Sequence, residues 1–222
     1  ANYPETCAGL ALEYMKHQPR RKALDVGCAI GRSSFELARG FDEVVGVDFS
    51  ARFIQSAQHL KEQGVLRYTM PVEGELESFE EITLERYGLE EVRHKVTFWQ
   101  ADACNLKPVY QGFDLIFAGN LLDRLYDPGK FLESLSSRLT EGGILILTSP
   151  YTWQEEHTPK EKWIGGYKRD GENVTTLAGL LEKLGNAFEL LETRDIPFVI
   201  QETARKHQYT IAEMSVWKKK RK

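Results

Sequence analysis

Five short apolar runs constrain this chain more than any other feature: Lys22–Gly27, Glu43–Asp48, Lys95–Gln100, Phe113–Ala118 and Ile144–Ser149. Runs of this length, apolar almost throughout and separated by helical patterns, read as strands buried on both faces. The helices expected between and around them are Pro4–His17, Gly31–Arg39, a helix capped by Ser50 and running to Gln63, Pro128–Leu139 and Thr175–Leu184. Leu10, Leu12, Tyr14 and Met15 supply the apolar side of the first, and Glu141-Gly142-Gly143 is read as the stop of the fourth. Two last strands are expected at Phe188–Thr193 and Tyr209–Trp217, separated by Pro197 and the charged stretch Gln201–His207. Strands alternating with helices predict an α/β fold: seven strands, mostly parallel, helices on both faces. No helix separates the final two strands, so the last is expected to be antiparallel.

A chain of 222 residues, 41% hydrophobic and 28% charged, is expected to form one globular domain over 1–222 and to need no disulfide or metal to hold its core. Two segments exceed the minimal plan, about 66–94 and 150–173, and are read as cover over a site. The formal net charge of -4 argues against a nucleic-acid or anionic-membrane partner. The one basic run, Lys218–Lys222, reads as a solvated tail. Cys7, Cys28 and Cys104 show no paired framework and no metal-ligand spacing, and His157 has no partner at such spacing. No apolar run approaches the ~20 residues of a membrane helix. With no secretory leader in view, the expected location is the cytoplasm. The opening residue is Ala1, which fits a processed chain or a piece of a longer one.

The chemistry-bearing stretch is Asp25-Val26-Gly27-Cys28-Ala29-Ile30-Gly31-Arg32, a strand entering a glycine turn and then a helix. Gly27 permits the tight turn, Gly31 lets the helix start lie close to the strand, and the helix start offers N–H groups to a polar ligand. The dinucleotide pattern GxGxxG is absent, which disfavours a nicotinamide oxidoreductase. Asp48 ends the second strand about twenty residues on, where a carboxylate accepts both hydroxyls of a ribose. Asp102 follows the third strand, where it can accept from an adenine amino group. Ligands of open α/β sheets bind at these strand ends.

Asp25-x-Gly27-x-x-x-Gly31, Asp48 and Asp102, with Phe113–Asn120 and Glu141–Leu145, resemble the Rossmann-like class I methyltransferases that use S-adenosylmethionine. Ala29 departs from the glycine of many members, and altered packing is expected there. The runs YPETCAGLALEYM (3–15), GRSSFELA (31–38), DACNL (102–106), NLLDRL (120–125), TSPYTW (148–153) and ETARKHQ (202–208) are similar to a narrower group, the methyltransferase domain of ovothiol biosynthesis. The resemblance implies N-methylation of an imidazole nitrogen of 5-thiohistidine to ovothiol A, with S-adenosylhomocysteine as the second product. In that group the domain is often joined to an iron-dependent sulfoxide synthase.

On this resemblance the cofactor is expected to meet Asp25, Gly27, Cys28, Ala29, Gly31, Asp48, Phe49, Ser50, Asp102, Ala103, Cys104 and Asn120. The catalytic candidates are Asn120, Asp123, Tyr151 and Glu156. Substrate contacts are expected from Tyr3, Asn120, Asp123, Arg124, Tyr151, Trp153, Glu202 and Arg205, with Glu155, Trp163 and Lys206 nearby. Asp123 and Arg124 suit the ammonium and carboxylate of an amino acid. Cys28 and Cys104 read as packing residues.

Other readings remain. Another small imidazole, amine or thiol would need only different cover segments. A base methyltransferase acting on nucleic acid would carry an Asn/Asp-Pro-Pro-aromatic run where this chain has Asn120-Leu121-Leu122-Asp123. A non-catalytic platform fits poorly with the retained Asp48 and Asp102.

Overall fold

The computed structural model describes residues 2–221; Ala1, and Lys222 at the end of the basic run, lie outside the described residues. In chain order the elements are α1 (Tyr3–Tyr14), β1 (Lys22–Val26), α2 (Arg32–Leu37), β2 (Glu43–Asp48), α3 (Ala51–Gln63), β3 (Val65–Glu73), β4 (Leu76–Thr83), β5 (Val96–Gln100), β6 (Phe113–Gly119), α4 (Pro128–Arg138), β7 (Leu139–Ser149), β8 (Tyr167–Arg169), β9 (Glu172–Val174), α5 (Thr176–Leu184), β10 (Phe188–Gln201) and β11 (His207–Lys219).

The main sheet has seven strands in the order β10-β11-β7-β6-β1-β2-β5. β11 is antiparallel to both β7 and β10, and the remaining neighbours run parallel. This is the α/β arrangement expected, last strand included. Each central strand feeds two cores. In β6, Leu115 and Phe117 join the cluster under α1, α2 and α3, while Ile116 and Ala118 join the cluster under α4 and α5. That period of two explains why these strands read as unbroken apolar runs. The strand order reverses between β1 and β6, which opens a crevice at their carboxyl ends.

Several boundaries differ from expectation. α1 stops at Tyr14, because Pro19 holds its predecessor out of the helical region and the chain tightens through Lys16 N–H to Glu13 O and Gln18 N–H to Met15 O. α2 is only a turn and a half, and Ser50 caps α3 by accepting from Phe53 N–H. Glu141-Gly142-Gly143 does not stop α4. The helix ends at Arg138, and the glycines lie inside β7, where Gly142 at φ 74° accompanies a register shift against β6. Pro197 separates no strands: it lies within β10, opposite Ile211. β10 is the sheet edge, where a missing N–H breaks no ladder bond.

The two segments read as cover are built from hairpins. β3 and β4 pair through a turn at Gly74, followed by short 3-10 turns at Glu85–Tyr87 and Glu90–Lys95. β8 and β9 pair through Asp170-Gly171, both at positive φ as a primed two-residue turn requires. Of β11, only Glu213–Lys218 pairs with β7, so the rest of the β10–β11 ribbon extends past the carboxyl ends of the parallel strands. Its tip reaches the first hairpin, where Ala204 N–H donates to Pro71 O at 3.0 Å. Two hairpins far apart in sequence thus meet beside the crevice.

Candidate active site

Gly27 leaves β1 at φ 75°, and its N–H and that of Cys28 both donate to Val47 O of β2. Gly31 is at φ 89°, and a Cβ there would lie 2.4 Å from the Phe98 ring. Gly27 is therefore favoured by its backbone, and Gly31 is demanded by backbone and space together. Between them Ala29 holds φ 47°, a region that L-residues pay to enter. Asn120 at φ 52° and Tyr151 at φ 55° repeat this just past β6 and β7. Non-glycine strain at the carboxyl ends of three neighbouring strands marks the place where function overrides local preference.

Gly27 forms the partition between two cavities. One, of about 290 Å³, is walled by Asp48, Phe49, Asp102, Ala103, Arg124, Tyr126, Glu156 and His157. Asp48 Oδ2 accepts from Ala29 N–H at 2.9 Å and Oδ1 from Ser50 N–H at 2.8 Å. Each oxygen keeps a second lone pair for a ribose hydroxyl. Asp102 Oδ1 accepts from Cys104 N–H at 2.9 Å, and Oδ2 accepts from Tyr126 at 2.8 Å. That bond pushes the Tyr126 phenol up to about 12. Phe49, 73% exposed, offers an apolar ring at the rim.

The other cavity, of about 270 Å³, is lined by Tyr3, Asp25, Cys28, Ala29, Arg32, Phe117 and Gly119. Asp25 is buried and accepts from Ser34 Oγ at 2.6 Å; burial pushes its carboxyl up to about 7. Burial likewise pushes the Cys28 thiol upward. Beside this cavity the Tyr3 hydroxyl lies 2.6 Å from the Thr148 hydroxyl and donates to Asn120 Oδ1 at 2.9 Å. The Phe198 ring, from the projecting ribbon, packs on Tyr3 with centroids 4.5 Å apart.

The remaining candidates are placed differently. Asp123 is 1% exposed, and its carboxylate accepts from Ser149 Oγ, Thr152 N–H, Thr152 Oγ1 and Arg124. It holds the chain leaving β7, and a carboxylate this buried with four donors already on it is not presented to a substrate ammonium. Arg124 also spends its guanidinium locally, on Asp123 and Thr152. Glu156 lies at the Asp48–Asp102 cavity, paired to His157, and is not beside Asn120. Trp153 stacks on Trp163 and donates to Thr176 Oγ1, a packing role. Glu155 is exposed. Glu202, Arg205 and Lys206 are exposed at the ribbon tip, where Glu202 pairs with Lys206. Ser50 works as a helix cap, and Cys104 Sγ is turned to Asp127 O at 3.3 Å. Tyr151 donates to Glu213 at 2.7 Å, on the far side of β7 from Tyr3.

Sequence reasoning missed Tyr126, Thr148, Phe198 and Glu213. Thr148 carried a signal, since it opens the TSPYTW run; Phe198 and Glu213 carried none, because only the length of the ribbon brings them here. Among the described residues, no group of three or more His, Cys, Asp or Glu is arranged to hold a metal ion, and no helix is long and apolar enough to cross a membrane.

The paired cavities fit a nucleoside joined to an amino acid: ribose and base acceptors on one side of Gly27, a slightly smaller chamber bordered by Asp25, Arg32 and Tyr3 on the other. A family model described as a methyltransferase domain matches residues 17–180. Among solved structures, the chain is similar to an S-adenosylmethionine-dependent methyltransferase from Clostridium acetobutylicum at 16% identity, with a TM-score of 0.62 over 100% of this chain and 93% of that one. It is similar to the N-methyltransferase NodS from Bradyrhizobium japonicum, solved with S-adenosyl-L-homocysteine, at 14% identity and a TM-score of 0.59, covering 98% and 88%. It is also similar to the [4+2]-cyclase SpnF at 18% identity and a TM-score of 0.62, covering 97% and 81%. Likeness at these identities shows the fold, and the cyclase illustrates that one fold serves more than one reaction.

Proposed function

This chain belongs to the methyltransferase domain family and uses S-adenosylmethionine, and from that premise we propose that it methylates an imidazole nitrogen of 5-thiohistidine to give ovothiol A. When bound, the cofactor supplies an electrophilic methyl group on a sulfonium. Asp48 and Asp102 hold the nucleoside through its hydroxyls and amino group, with Phe49 against the base. Asp25, Cys28 and Ala29 border the amino-acid end. Tyr3 and Asn120 orient the acceptor ring so that one nitrogen lone pair faces the methyl group. In-line displacement gains most from such positioning and from exclusion of water, which Phe198 and the ribbon provide.

The observation that carries this reading is a convergence. Tyr3, Asn120 and Thr148 come from three of the separate runs that resemble the ovothiol enzymes, and they form one hydrogen-bonded cluster beside the cavity. A sulfoxide synthase, joined to this chain or separate, supplies the sulfur-bearing precursor in this reading, and the setting is the cytoplasm.

Mass spectrometry of the purified chain with S-adenosylmethionine and 5-thiohistidine, histidine, an ergothioneine-like thiol or a biogenic amine tests it. A single methyl gained on 5-thiohistidine, with little on histidine, is expected. Cofactor binding without methylation of 5-thiohistidine overturns the substrate and leaves the methyltransferase.

A further inference from the structure

The Asn120 amide is held by a network whose protons can be counted. The Thr148 hydroxyl is 0% exposed, accepts from Asn120 N–H at 3.1 Å, and lies 2.6 Å from Tyr3 Oη and 3.3 Å from Asn120 Oδ1. Two hydroxyl protons, from Tyr3 and Thr148, must find acceptors among three oxygens, Tyr3 Oη, Thr148 Oγ1 and Asn120 Oδ1, and the weakly accepting Cys7 sulfur that also meets Tyr3. With Oδ1 turned inward both are satisfied. With the amide reversed, Nδ2 would donate inward and one hydroxyl proton would be left with only the Cys7 sulfur, a weak acceptor, which is the costlier arrangement in a buried place. Burial also pushes the Tyr3 phenol upward, so its proton stays in the network. Asn120 Nδ2 has no protein partner, and since no buried side-chain nitrogen or oxygen in the described residues lacks one, Nδ2 is open to solvent.

We propose that Thr148 is a positioning residue that locks the Asn120 amide with its Nδ2 donor facing the substrate, so that the substrate atom meeting it must be a hydrogen-bond acceptor. Resting on the function proposed above, that acceptor is the sulfur of the mercaptoimidazole. The amide orientation thereby selects a thiolate or thione over a plain imidazole, whose C–H at that position cannot accept. An ammonium is refused for the same reason.

The test is equilibrium binding of 5-thiohistidine and of histidine to enzyme loaded with S-adenosylhomocysteine, in wild type, Thr148→Val and Thr148→Ser. Thr148→Val is expected to weaken 5-thiohistidine about tenfold, histidine less than about twofold, and the cofactor product not at all, while Thr148→Ser restores wild-type affinity. Equal weakening of both ligands, or Val and Ser variants that behave alike, overturns the proposal. If wild type binds no 5-thiohistidine, the substrate reading falls by itself. The Asn120 side-chain amide in 1H–15N spectra then decides the positioning role: two distinct, restrained Nδ2 protons in wild type and Thr148→Ser, moving to free-amide positions in Thr148→Val, support it. Spectra that are the same in all three overturn it.

Discussion

The cavity under Asp48 and Asp102 takes most of its walls from turns that directly follow β1, β2 and β5, whereas the Tyr3–Asn120–Thr148 cluster beside the amino-acid-end cavity is drawn from the N-terminal helix and the ends of β6 and β7, with a distant ribbon behind it. The first is held chiefly by bonds between near neighbours, such as Asp48 to Ser50 and Asp102 to Cys104. The second is held by bonds spanning 117 and 145 residues. A shared cofactor needs one constant shape, which short motifs encode. A particular methyl acceptor needs a shape of its own, which is assembled from parts free to vary separately.

The strongest way to break this comparison is Gly31→Ala. Its Cβ would meet the Phe98 ring at 2.4 Å with φ at 89°, so a loss of about 3 kcal/mol in urea denaturation is expected, disabling both cavities at once. An unchanged midpoint would show the shared turn to be less constrained than its geometry says. Next comes Asp25, whose carboxyl is pushed up to about 7 by burial. A folded pKa above the unfolded value keeps the proton in the native state after the unfolded chain has released it. Stability therefore falls by a few kcal/mol as pH rises from about 4 through about 7, then levels. Asp25→Asn is expected to flatten that decline in unfolding curves taken at about pH 5 and about pH 8; an unaltered slope would mean that another group causes it.

A matched pair then sharpens the division of labour. Asp102→Ala is expected to weaken S-adenosylmethionine binding about tenfold while the KM of the methyl acceptor stays within about twofold, and Tyr3→Phe is expected to do the reverse. Calorimetry and initial rates report both, and a variant that moves both constants together would merge the cofactor cavity and the Tyr3 cluster into one functional unit. The smallest effect is Ala29→Gly. Releasing a residue held at φ 47° is expected to raise stability by about 1 kcal/mol, seen as a higher Tm with methyl transfer intact. A lower Tm would show that the Ala29 methyl packs better than its backbone strains.

Much of the scaffold was legible because each central strand is buried on both faces and therefore apolar almost throughout. β2 and α3 fell on the expected residues for this reason and because Ser50 is a strong cap. The β3–β4 hairpin was not, since its faces are mostly exposed and carry Glu73, Glu77, Glu80 and Glu81, so no period of two survives in the sequence. Asp123 shows the same limit at the site. An acid next to a basic residue past a central strand reads as a substrate clamp, but the short 3-10 turn there rotates it into the protein, where Ser149 and Thr152 consume it.

The sequence alone determined the parallel sheet, the turn from Gly27 to Gly31 and the two acids that follow the next strands in the sheet, because each is a matter of local backbone geometry within a few residues of a strand end. Only the tertiary structure decided which side chains gather beside the second cavity. Tyr3, Asn120, Thr148 and Phe198 have no local relation to one another. They meet because strand order places β6 beside β7, α1 packs across their ends, and a ribbon longer than the sheet it joins folds its aromatic ring onto Tyr3.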